Sequence, residues 1–308
     1  AVMKSEEYEG GFDLNLPNKM LFSVVGFREK VDNGFGTENT DWEATLFDKW
    51  YNSDLIVVPG NKPQFDLNNP SAVDTILFCY ERPGNTSYSI SKGIEFDFDL
   101  GRIEYTKTSF YLSGSYIETK KGTHNMNYQN PMGYPGANPP VMLVFPRDSD
   151  NETRKRFNTT FRIVQHIPVI KFIVSFAGQA VWYDYTKKDN IPDLPVGYLS
   201  KDRTNTGQTM IVYFTQNQID NPSTTNFEGF NLEEQRYVSK TKNIAETWPT
   251  LWLFNLRLTK EINQYLGFSF YVNNCFFSQP WQNSSISDAV QQRNRNIFSY
   301  GFEMFFKL

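Results

Sequence analysis

The sequence predicts an all-β protein, an antiparallel transmembrane β-barrel segment with long extracellular loops. Three features predict this fold. Apolar and polar residues alternate over stretches of strand length. The alternating stretches come in pairs joined by tight turns. Long polar connections separate the pairs, and short turns that alternate with long loops are typical of barrels in an outer membrane.

The alternation is clearest in the C-terminal segment. One side of this segment is apolar up to the last residue: Phe298, Tyr300, Phe302, Met304, Phe306 and Leu308. The other side mixes small, charged and aromatic residues. A soluble protein rarely ends on a fully apolar strand face, whereas a barrel strand shows lipid every second side chain. We therefore expect Phe302 and Phe306 to face lipid.

The same period predicts four strand pairs further upstream. Their turns are predicted at Pro17-Asn18, Gly101-Arg102, Ile167-Pro168 and Asn263-Gln264. The connections between pairs cover roughly 30–90, 118–156, 186–250 and 276–296. Each strand is predicted to have about 9–11 residues, enough to cross a bilayer at a tilt. The apolar sides of these strands supply further predicted lipid-facing residues: Phe96, Phe98, Phe172, Phe254, Phe268 and Phe270.

The long connections contain weaker patterns. Trp42, Leu46, Phe47 and Trp50 predict one side of a short helix in Asp41–Tyr51. Short strands are predicted at Leu55–Val58, Thr75–Tyr80 and Met210–Phe214.

The count of strands bears on how the sheet is completed. The alternation predicts about nine spanning strands, whereas a single-chain bacterial barrel normally has an even number. An open sheet cannot lie in lipid, because the N–H and C=O groups at its edges would lack partners. We therefore expect strands from outside residues 1–308 to complete the barrel.

Several segments carry a resemblance to a known family. Glu9–Leu16, followed by a turn and a second strand, resembles a mid-barrel hairpin of TonB-dependent receptors. Lys92–Leu100 with Ser109–Tyr116 is similar to the most recognisable hairpin of that family. Two further stretches, Arg162–Tyr185 and Leu256–Asn274, resemble the large SusC-like branch of this family, found in Bacteroidetes. The ending, Tyr300–Leu308, resembles the aromatic terminal strand by which such barrels are recognised for insertion.

The resemblance implies a fold, a location and partners. It implies that residues 1–308 are the C-terminal portion of one barrel domain of about 22 strands in the bacterial outer membrane. It implies import of an oligosaccharide or a peptide by the complete receptor. The implied partners are outer-membrane lipid, a SusD-like surface lipoprotein, and the remaining N-terminal barrel and plug on the same or a separate chain. TonB would act through that missing portion, since this chain has no TonB box and no plug domain.

The sequence gives little reason to expect catalysis or a cofactor. His124 lies in a long connection and His166 in a predicted turn, and neither has neighbours that suggest a catalytic triad. Cys79 and Cys275 form no metal motif, and we interpret them as unpaired thiols, with a single bridge as the alternative. With no basic arm and a net charge of -4, we expect no nucleic-acid partner. The chain is predicted not to be an enzyme, with no metal site.

Polar side chains on the strands are candidates for the lumen and for substrate contact. Glu95, Asp97 and Asp99 recur every second residue, which places them on one strand face. A glycosidase pair or a calcium site would use such carboxylates, but lumen residues that pair with Arg or Lys are the favoured interpretation. The other candidates are Arg162, Gln179, Tyr183 and Arg257.

Aromatic residues near strand ends have two interpretations. Trp182, Tyr183, Tyr185 and Trp252 lie towards the long-loop side. In a barrel such residues form an interfacial girdle, which we expect for Trp182 and Trp252. Tyr183, predicted on the opposite face from Trp182, is the candidate for substrate contact.

Two other functions are compatible with this sequence. One is a passive porin or an adhesin-type barrel. The other is a soluble, aromatic-rich β-sandwich that binds carbohydrate. In a sandwich, the alternating apolar residues would pack into a buried core between two sheets.

Overall fold

The structure is a computed structural model of the chain. It describes residues 2–38, 44–51, 55–56, 59–62, 64–65, 68, 70–79, 82–134, 139–146, 151–189, 192–200, 204–205, 208–209, 211–236, 243–287, 289–293 and 297–306. The described part is all-β and its strands pair antiparallel, as predicted.

One large sheet contains all the long strands. These are β1 (Lys4–Leu16), β2 (Met20–Glu38), β3 (Arg82–Ile103), β4 (Thr108–Thr123), β5 (Asn151–Ile167), β6 (Phe172–Asp189), β7 (Leu251–Glu261), β8 (Leu266–Ser278) and β9 (Ser299–Phe306). Each pairs with the strand before and after it in the chain, so β1 and β9 are the two ends of the described sheet. A short tenth strand, Ala245–Trp248, extends the sheet beside the end of β6.

Most of these strands are longer than predicted. β3 has 22 residues and β2 has 19, so the prediction of 9–11 residues is wrong for them. At about 3.3 Å per residue, β3 is about 70 Å long, more than twice the thickness of a bilayer core. The extra length lies on the side of the long connections, because pairing between β2, β3 and β4 continues past the alternating segments.

Three of the four predicted turns lie where expected, at Pro17–Lys19, Pro168–Ile170 and residues 263–265. The fourth is displaced, because β3 continues past Gly101 and the turn occupies residues 104–107. Gly101 has a φ of +69°, which glycine adopts without a steric penalty. Its N–H donates to Asp99 Oδ1 at 2.8 Å, and the register shifts here. The glycine therefore forms a bulge within the hairpin.

The long connections also contain secondary structure. The one α-helix of the described residues, α1, spans Gln216–Asp220 and has a capping box with Thr215. In the parts that the structure describes, no helix has the length and apolarity needed to span a bilayer. Short 3₁₀ helices and strands make up the rest: Pro222–Thr224, Glu233–Gln235, Ala44–Tyr51, Leu55–Ile56, Gln64–Phe65, Ala72–Cys79, Asn127–Gln129, Val141–Phe145, Gly197–Ser200, Thr204–Asn205, Gln208–Thr209, Val212–Tyr213, Asn226–Phe227, Phe230–Asn231, Gln282–Asn283 and Val290–Gln291.

The predicted helix in Asp41–Tyr51 is wrong. Ala44–Tyr51 is a strand that pairs with Ala72–Cys79, with Leu46 opposite Leu77. Pairing with a distant segment overrides a local helical pattern of this kind, because both β partners gain hydrogen bonds. The predicted strand at Thr75–Tyr80 falls largely within Ala72–Cys79. The predicted strand at Met210–Phe214 was too long, since the strand is Val212–Tyr213. Leu55–Ile56, the described part of the predicted strand Leu55–Val58, is a strand. Trp42, Val58, Tyr80 and Met210 lie outside the described residues.

The buried apolar core of the described chain lies among the connections. The strands Asn127–Gln129, Val141–Phe145, Gly197–Ser200 and Val212–Tyr213 form a second, small sheet. Its fully buried side chains and those packed against them come from the β4–β5 and β6–β7 connections: Val141, Leu143, Phe145, Tyr198, Phe214, Phe227 and Leu232. The two connections therefore fold together as one unit.

Candidate functional site

Cross-strand register divides the large sheet into two faces. Residues directly opposite each other lie on the same face, so Phe22, Phe98, Leu112 and Phe161 form one row across β2–β5. We call this side the apolar face. It carries Phe12, Leu14, Phe22, Val24, Phe96, Phe98, Phe110, Leu112, Phe161, Ile163, Phe172, Val174, Phe176, Phe254, Leu256, Leu258, Phe268, Phe270, Val272, Phe302, Met304 and Phe306. All eight side chains predicted to face lipid lie on it.

The apolar face is not a buried core. Phe302 is 66% exposed and Phe306 is 65% exposed, and Phe96 and Phe268 are only partly covered. Their aromatic neighbours belong to the same sheet, as in the stacked pair Phe268 and Phe302 with centroids 5.5 Å apart. A β-sandwich would bury these rings under a second sheet, which they do not have in the described residues.

A polar row bounds the apolar face on the side of the long connections. Arg28, Lys92, Glu118, Lys155 and Tyr185 lie directly opposite one another across β2–β6. Glu118 forms ion pairs with Lys92 at 3.4 Å and with Lys155 at 3.5 Å. The stretch of β3 from this row to its end at Ile103 would correspond to a height of about 28 Å for a strand tilted by about 40°.

Two tryptophans lie on the apolar face within two rows of this polar row, and Trp252 is in the row of Phe96. The rings of Trp182 and Trp252 meet edge-on with centroids 4.8 Å apart. Trp182 Nε1 donates to Thr159 Oγ1 at 2.8 Å, and Thr159 lies on the apolar face opposite Gly114. An apolar ring with one hydrogen-bonding atom suits a boundary between a dry and a wet environment.

Tyr183 does not lie where the sequence analysis placed it. The register shifts between Phe157 and Asn158 of β5, so that Trp182 is an extra residue of β6 and Tyr183 lies opposite Phe157. Phe157 in turn lies opposite Tyr116, on the apolar face. A bulge of this kind sets two residues of one strand against one of its partner. Tyr183 therefore joins the aromatic boundary on the same face as Trp182, and substrate contact by its ring stays a prediction.

The opposite side of the sheet, which we call the polar face, carries the remaining candidates. Asp97 lies opposite Ser113, and Asp99 lies opposite Tyr111. Arg162 lies opposite Tyr111 and therefore in the same row as Asp99. Gln179 lies opposite Thr160, in the same row as Asp97. Glu95 is on the same face one row nearer the long connections, opposite Ser115, and Arg257 is further along the sheet, opposite Ser175.

A recess of about 320 Å³ brings three of the predicted residues together. Asp97, Asp99, Ser113 and Thr160 line it with Arg162, whose guanidinium lies 4.5 Å from the centre of the Tyr111 ring. Such a cation–π contact holds the guanidinium over the face of the ring. The recess combines carboxylates, hydroxyls and one stacked cation, a set that can hydrogen-bond a polar solute.

Arg257 belongs to a separate recess of about 230 Å³. Its Nη2 lies 2.6 Å from Glu303 Oε2 and donates to Ser269 Oγ at 3.3 Å. Ser269 is fully buried, and its hydroxyl also bonds Thr259 Oγ1 at 2.8 Å. The ion pair of Arg257 with Glu303 was not predicted from the sequence. Glu95, Asp97 and Asp99 form no ion pair with a residue of the described chain, so for these carboxylates the predicted pairing stays open.

A group of charged residues that was not predicted from the sequence lies on the polar face near the long connections. Asp184 is 4% exposed. Its carboxylate forms ion pairs with Arg293 at 3.1 Å, Arg156 at 3.3 Å and Arg154 at 3.5 Å. Burial lowers the pKa of the Arg293 guanidinium from its ordinary value, an effect that the carboxylate of Asp184 opposes. Arg154 and Arg156 lie on one strand face, and their spacing is the only sign of this group in the sequence, because Arg293 comes from a distant connection.

The histidines and cysteines are not assembled into a reactive site in the described residues. His124 stacks on Tyr88 with ring centres 4.8 Å apart, and Cys275 Sγ is a free thiol that donates to the Phe254 carbonyl at 3.2 Å. Within the same residues, no group of three or more His, Cys, Asp or Glu side chains is placed to hold a metal ion. The interpretation of Cys275 as an unpaired thiol is thus confirmed, and the side chain of Cys79 lies outside the described residues.

Fold and faces together define a class: an all-β protein whose large antiparallel sheet has one exposed apolar face and one polar face with charged recesses. Comparisons with models of protein families, with curated proteins and with solved structures find no match to this chain.

Proposed function

We propose that the chain is part of a TonB-dependent transporter of the bacterial outer membrane, which imports an oligosaccharide or a peptide. The observation that carries this proposal is the exposed apolar face, which a charged row bounds on the side of the long connections. At the usual strand tilt of a barrel this face would be about 28 Å high. Exposed apolar patches of this size are rare on soluble monomers and mark a surface that something apolar covers. Lipid is the cover that matches a band of this height.

The ends of the sheet support a larger barrel. The outer edges of β1 and β9 have no paired strand among the described residues. In hydrocarbon, each backbone group without a partner costs several kcal/mol. We therefore propose that strands of an N-terminal portion, on the same or a separate chain, pair with both edges and that this portion brings the plug and the contact with TonB.

The polar face and the folded connections have separate parts in this proposal. With the apolar face outward, the polar face lines the lumen, and the recess at Arg162 and Tyr111 is a contact site for the solute. The unit around Leu143 and Leu232 lies on the side of the long connections, where it can receive a surface lipoprotein that resembles SusD. Transport needs no chemical step from these residues, so we propose no enzymatic activity.

Single cysteines on adjacent positions of β3 test the membrane arrangement. In a background with Cys79→Ser and Cys275→Ser, Phe98→Cys should resist a water-soluble maleimide in proteoliposomes and react with a lipid-soluble one. Asp97→Cys, on the polar face, should show the reverse. Equal labelling of both positions by the water-soluble reagent would falsify the lipid assignment and favour a soluble carbohydrate-binding protein.

Energy dependence of uptake tests the class of transporter. A TonB-dependent receptor should lose accumulation of labelled oligosaccharide or peptide when the proton gradient is collapsed or TonB is deleted. If the cysteine labelling pattern is as expected but solute flux is unchanged under both treatments, the protein is a passive porin. If there is no flux at all, it is an adhesin-type barrel.

A further inference from the structure

The charged group on the polar face has an excess of positive charge. Three guanidinium groups converge on the one carboxylate of Asp184, at 3.1–3.5 Å. Two other carboxylates near this end of β6 have lysine partners, Glu152 with Lys121 at 3.1 Å and Asp189 with Lys187 at 2.8 Å. A third, that of Glu246, lies on the neighbouring short strand. It accepts hydrogen bonds from the side-chain amides of Gln282 and Gln291, both at 2.9 Å. These amides hold Glu246 in place, and the arginines share Asp184 alone.

The group has a buried floor and an open rim. Asp184 and Arg293 form the floor, with side chains only 5% and 14% exposed. The Arg293 guanidinium also lies 5.4 Å from the centre of the Trp248 ring. Arg156 and Arg154 form the rim, and about half of each side chain is exposed. A solute on the polar face can therefore reach two guanidinium groups directly.

The floor has hydrogen-bonding capacity left over. Arg293 Nε and Nη2 and Asp184 Oδ1 are buried without a hydrogen-bond partner in the described chain, although Nη2 keeps its ion-pair distance to Asp184. Leaving a charged donor buried and unbonded is costly. An oxyanion at this point would accept from the arginines and would offset the repulsion between their charges.

We infer that Arg154, Arg156 and Arg293 around Asp184 form an anion-binding site, which recognises a carboxylate or phosphate group of the solute. That the bound anion is a group of the imported solute rests on the proposed function. Guanidinium groups bind planar oxyanions through two parallel hydrogen bonds, a geometry that lysine does not offer. Asp184 holds the three arginines together and competes with the ligand for them.

Binding of simple anions tests the site. The protein is purified in detergent with every chain that co-purifies, and calorimetry at constant ionic strength measures citrate, inorganic phosphate and uncharged maltohexaose. Arg156→Gln and Arg154→Gln should each weaken anion binding by about tenfold, the effect of losing one charge-assisted hydrogen bond. Arg156→Lys should recover only part of this loss. Arg236→Gln is the matched control, since Arg236 also binds carboxylates, at 2.8 Å from Glu233, but lies in a separate connection.

Asp184→Asn separates a ligand site from a structural charge cluster. Removing the competing carboxylate should raise anion affinity several-fold, whereas a purely structural cluster would gain none. Far-UV circular dichroism and the thermal midpoint establish that each variant is folded, and the exposed Arg154 provides a variant that leaves the floor intact.

The outcomes of the anion experiment are distinct. Citrate binding without phosphate binding identifies a carboxylate ligand, and the reverse identifies a phosphate ligand. No binding of either anion, or equal losses in Arg236→Gln, overturns the inference. These measurements need no membrane, so they test the site separately from transport. Anion binding without energy-dependent uptake would overturn the proposed transport and leave the anion site standing. Energy-dependent uptake without anion binding would overturn the anion site and leave the proposed transport standing.

Discussion

The ring of Phe161 on β5 lies directly across from Gly178 on β6 and fills the space that a side chain at Gly178 would take. A Cβ at Gly178 would come within 2.3 Å of the Phe161 ring. Phe96 covers Gly114 on the next strand in the same way, at 2.5 Å. Aromatic rings laid over glycines of a neighbouring strand help pin the register of a sheet.

Gly178→Ala should therefore destabilise the protein. The added methyl group must displace the Phe161 ring, which is the kind of overpacking that costs about 1–3 kcal/mol. Gly26→Ala is the matched control in β2, because its Cβ would have no neighbour closer than 3.8 Å. Denaturant unfolding in the same detergent measures both. Equal stability of the two variants would show that the ring does not constrain β6.

Gln235 joins two connections of the chain, and its loss should loosen them locally. The fully buried side chain accepts from the Met132 backbone N–H at 2.7 Å and donates to the Met132 carbonyl at 3.5 Å. Gln235→Ala leaves that N–H unsatisfied, a cost of about 1–3 kcal/mol. Hydrogen exchange should rise in residues 127–134 and 216–236 and stay unchanged in β4 and β5. Glu234→Ala, an exposed neighbour, should leave exchange as it is.

A lysine should be tolerated on one face of β4 and not on the other. Leu112 lies on the apolar face and Ser113 on the polar face beside Asp97. In lipid vesicles, Leu112→Lys should lower the unfolding free energy by about 2–4 kcal/mol, the cost of a lysine facing the bilayer midplane. Ser113→Lys should cost less, because its charge stays in water near a carboxylate. Equal losses in the two variants would argue against lipid on the apolar face.

The Glu233–Arg236 pair predicts a local dependence on pH. Arg236 donates from Nε and Nη2 to the two carboxylate oxygens, at 2.9 and 2.8 Å. These hydrogen bonds lower the pKa of Glu233 below its ordinary value. The pKa of Glu233 is lower in the folded than in the unfolded protein. The pair therefore contributes to stability at pH values above the unfolded pKa, and this contribution is lost as the pH falls through the folded pKa.

Carbon NMR of labelled glutamate carboxyls measures this effect, with Glu233→Gln to assign the signal. In Arg236→Gln, the pKa of Glu233 should rise towards the ordinary value of a glutamate. An unchanged midpoint in that variant would mean that the pair does not hold the carboxyl in its charged form.

The faces of the sheet were predictable wherever strands keep an unbroken period of two. Phe96 and Phe98 alternate with Asp97 and Asp99, and the register places them on opposite faces as expected. Strand geometry alone sets this result, because successive side chains point to opposite sides. The recess around Arg162 was also foreseeable in its residue types, although the stacking on Tyr111 depends on which strands become neighbours.

Other features depended on pairing between distant segments. One extra residue at Trp182 moves Tyr183 to the apolar face, and no local pattern marks that shift. The strand Ala44–Tyr51 exists because Ala72–Cys79 pairs with it. The charged group forms because a connection returns Arg293 to Asp184.

The sequence by itself determined the nine long strands, their alternation and the identity of the apolar residues, because these follow from the period of each strand. Only the tertiary structure decided the bulge, the length of the strands, the folded connections and the site at Asp184. Each of these depends on contacts between residues far apart in the chain, and such contacts leave no period in the sequence.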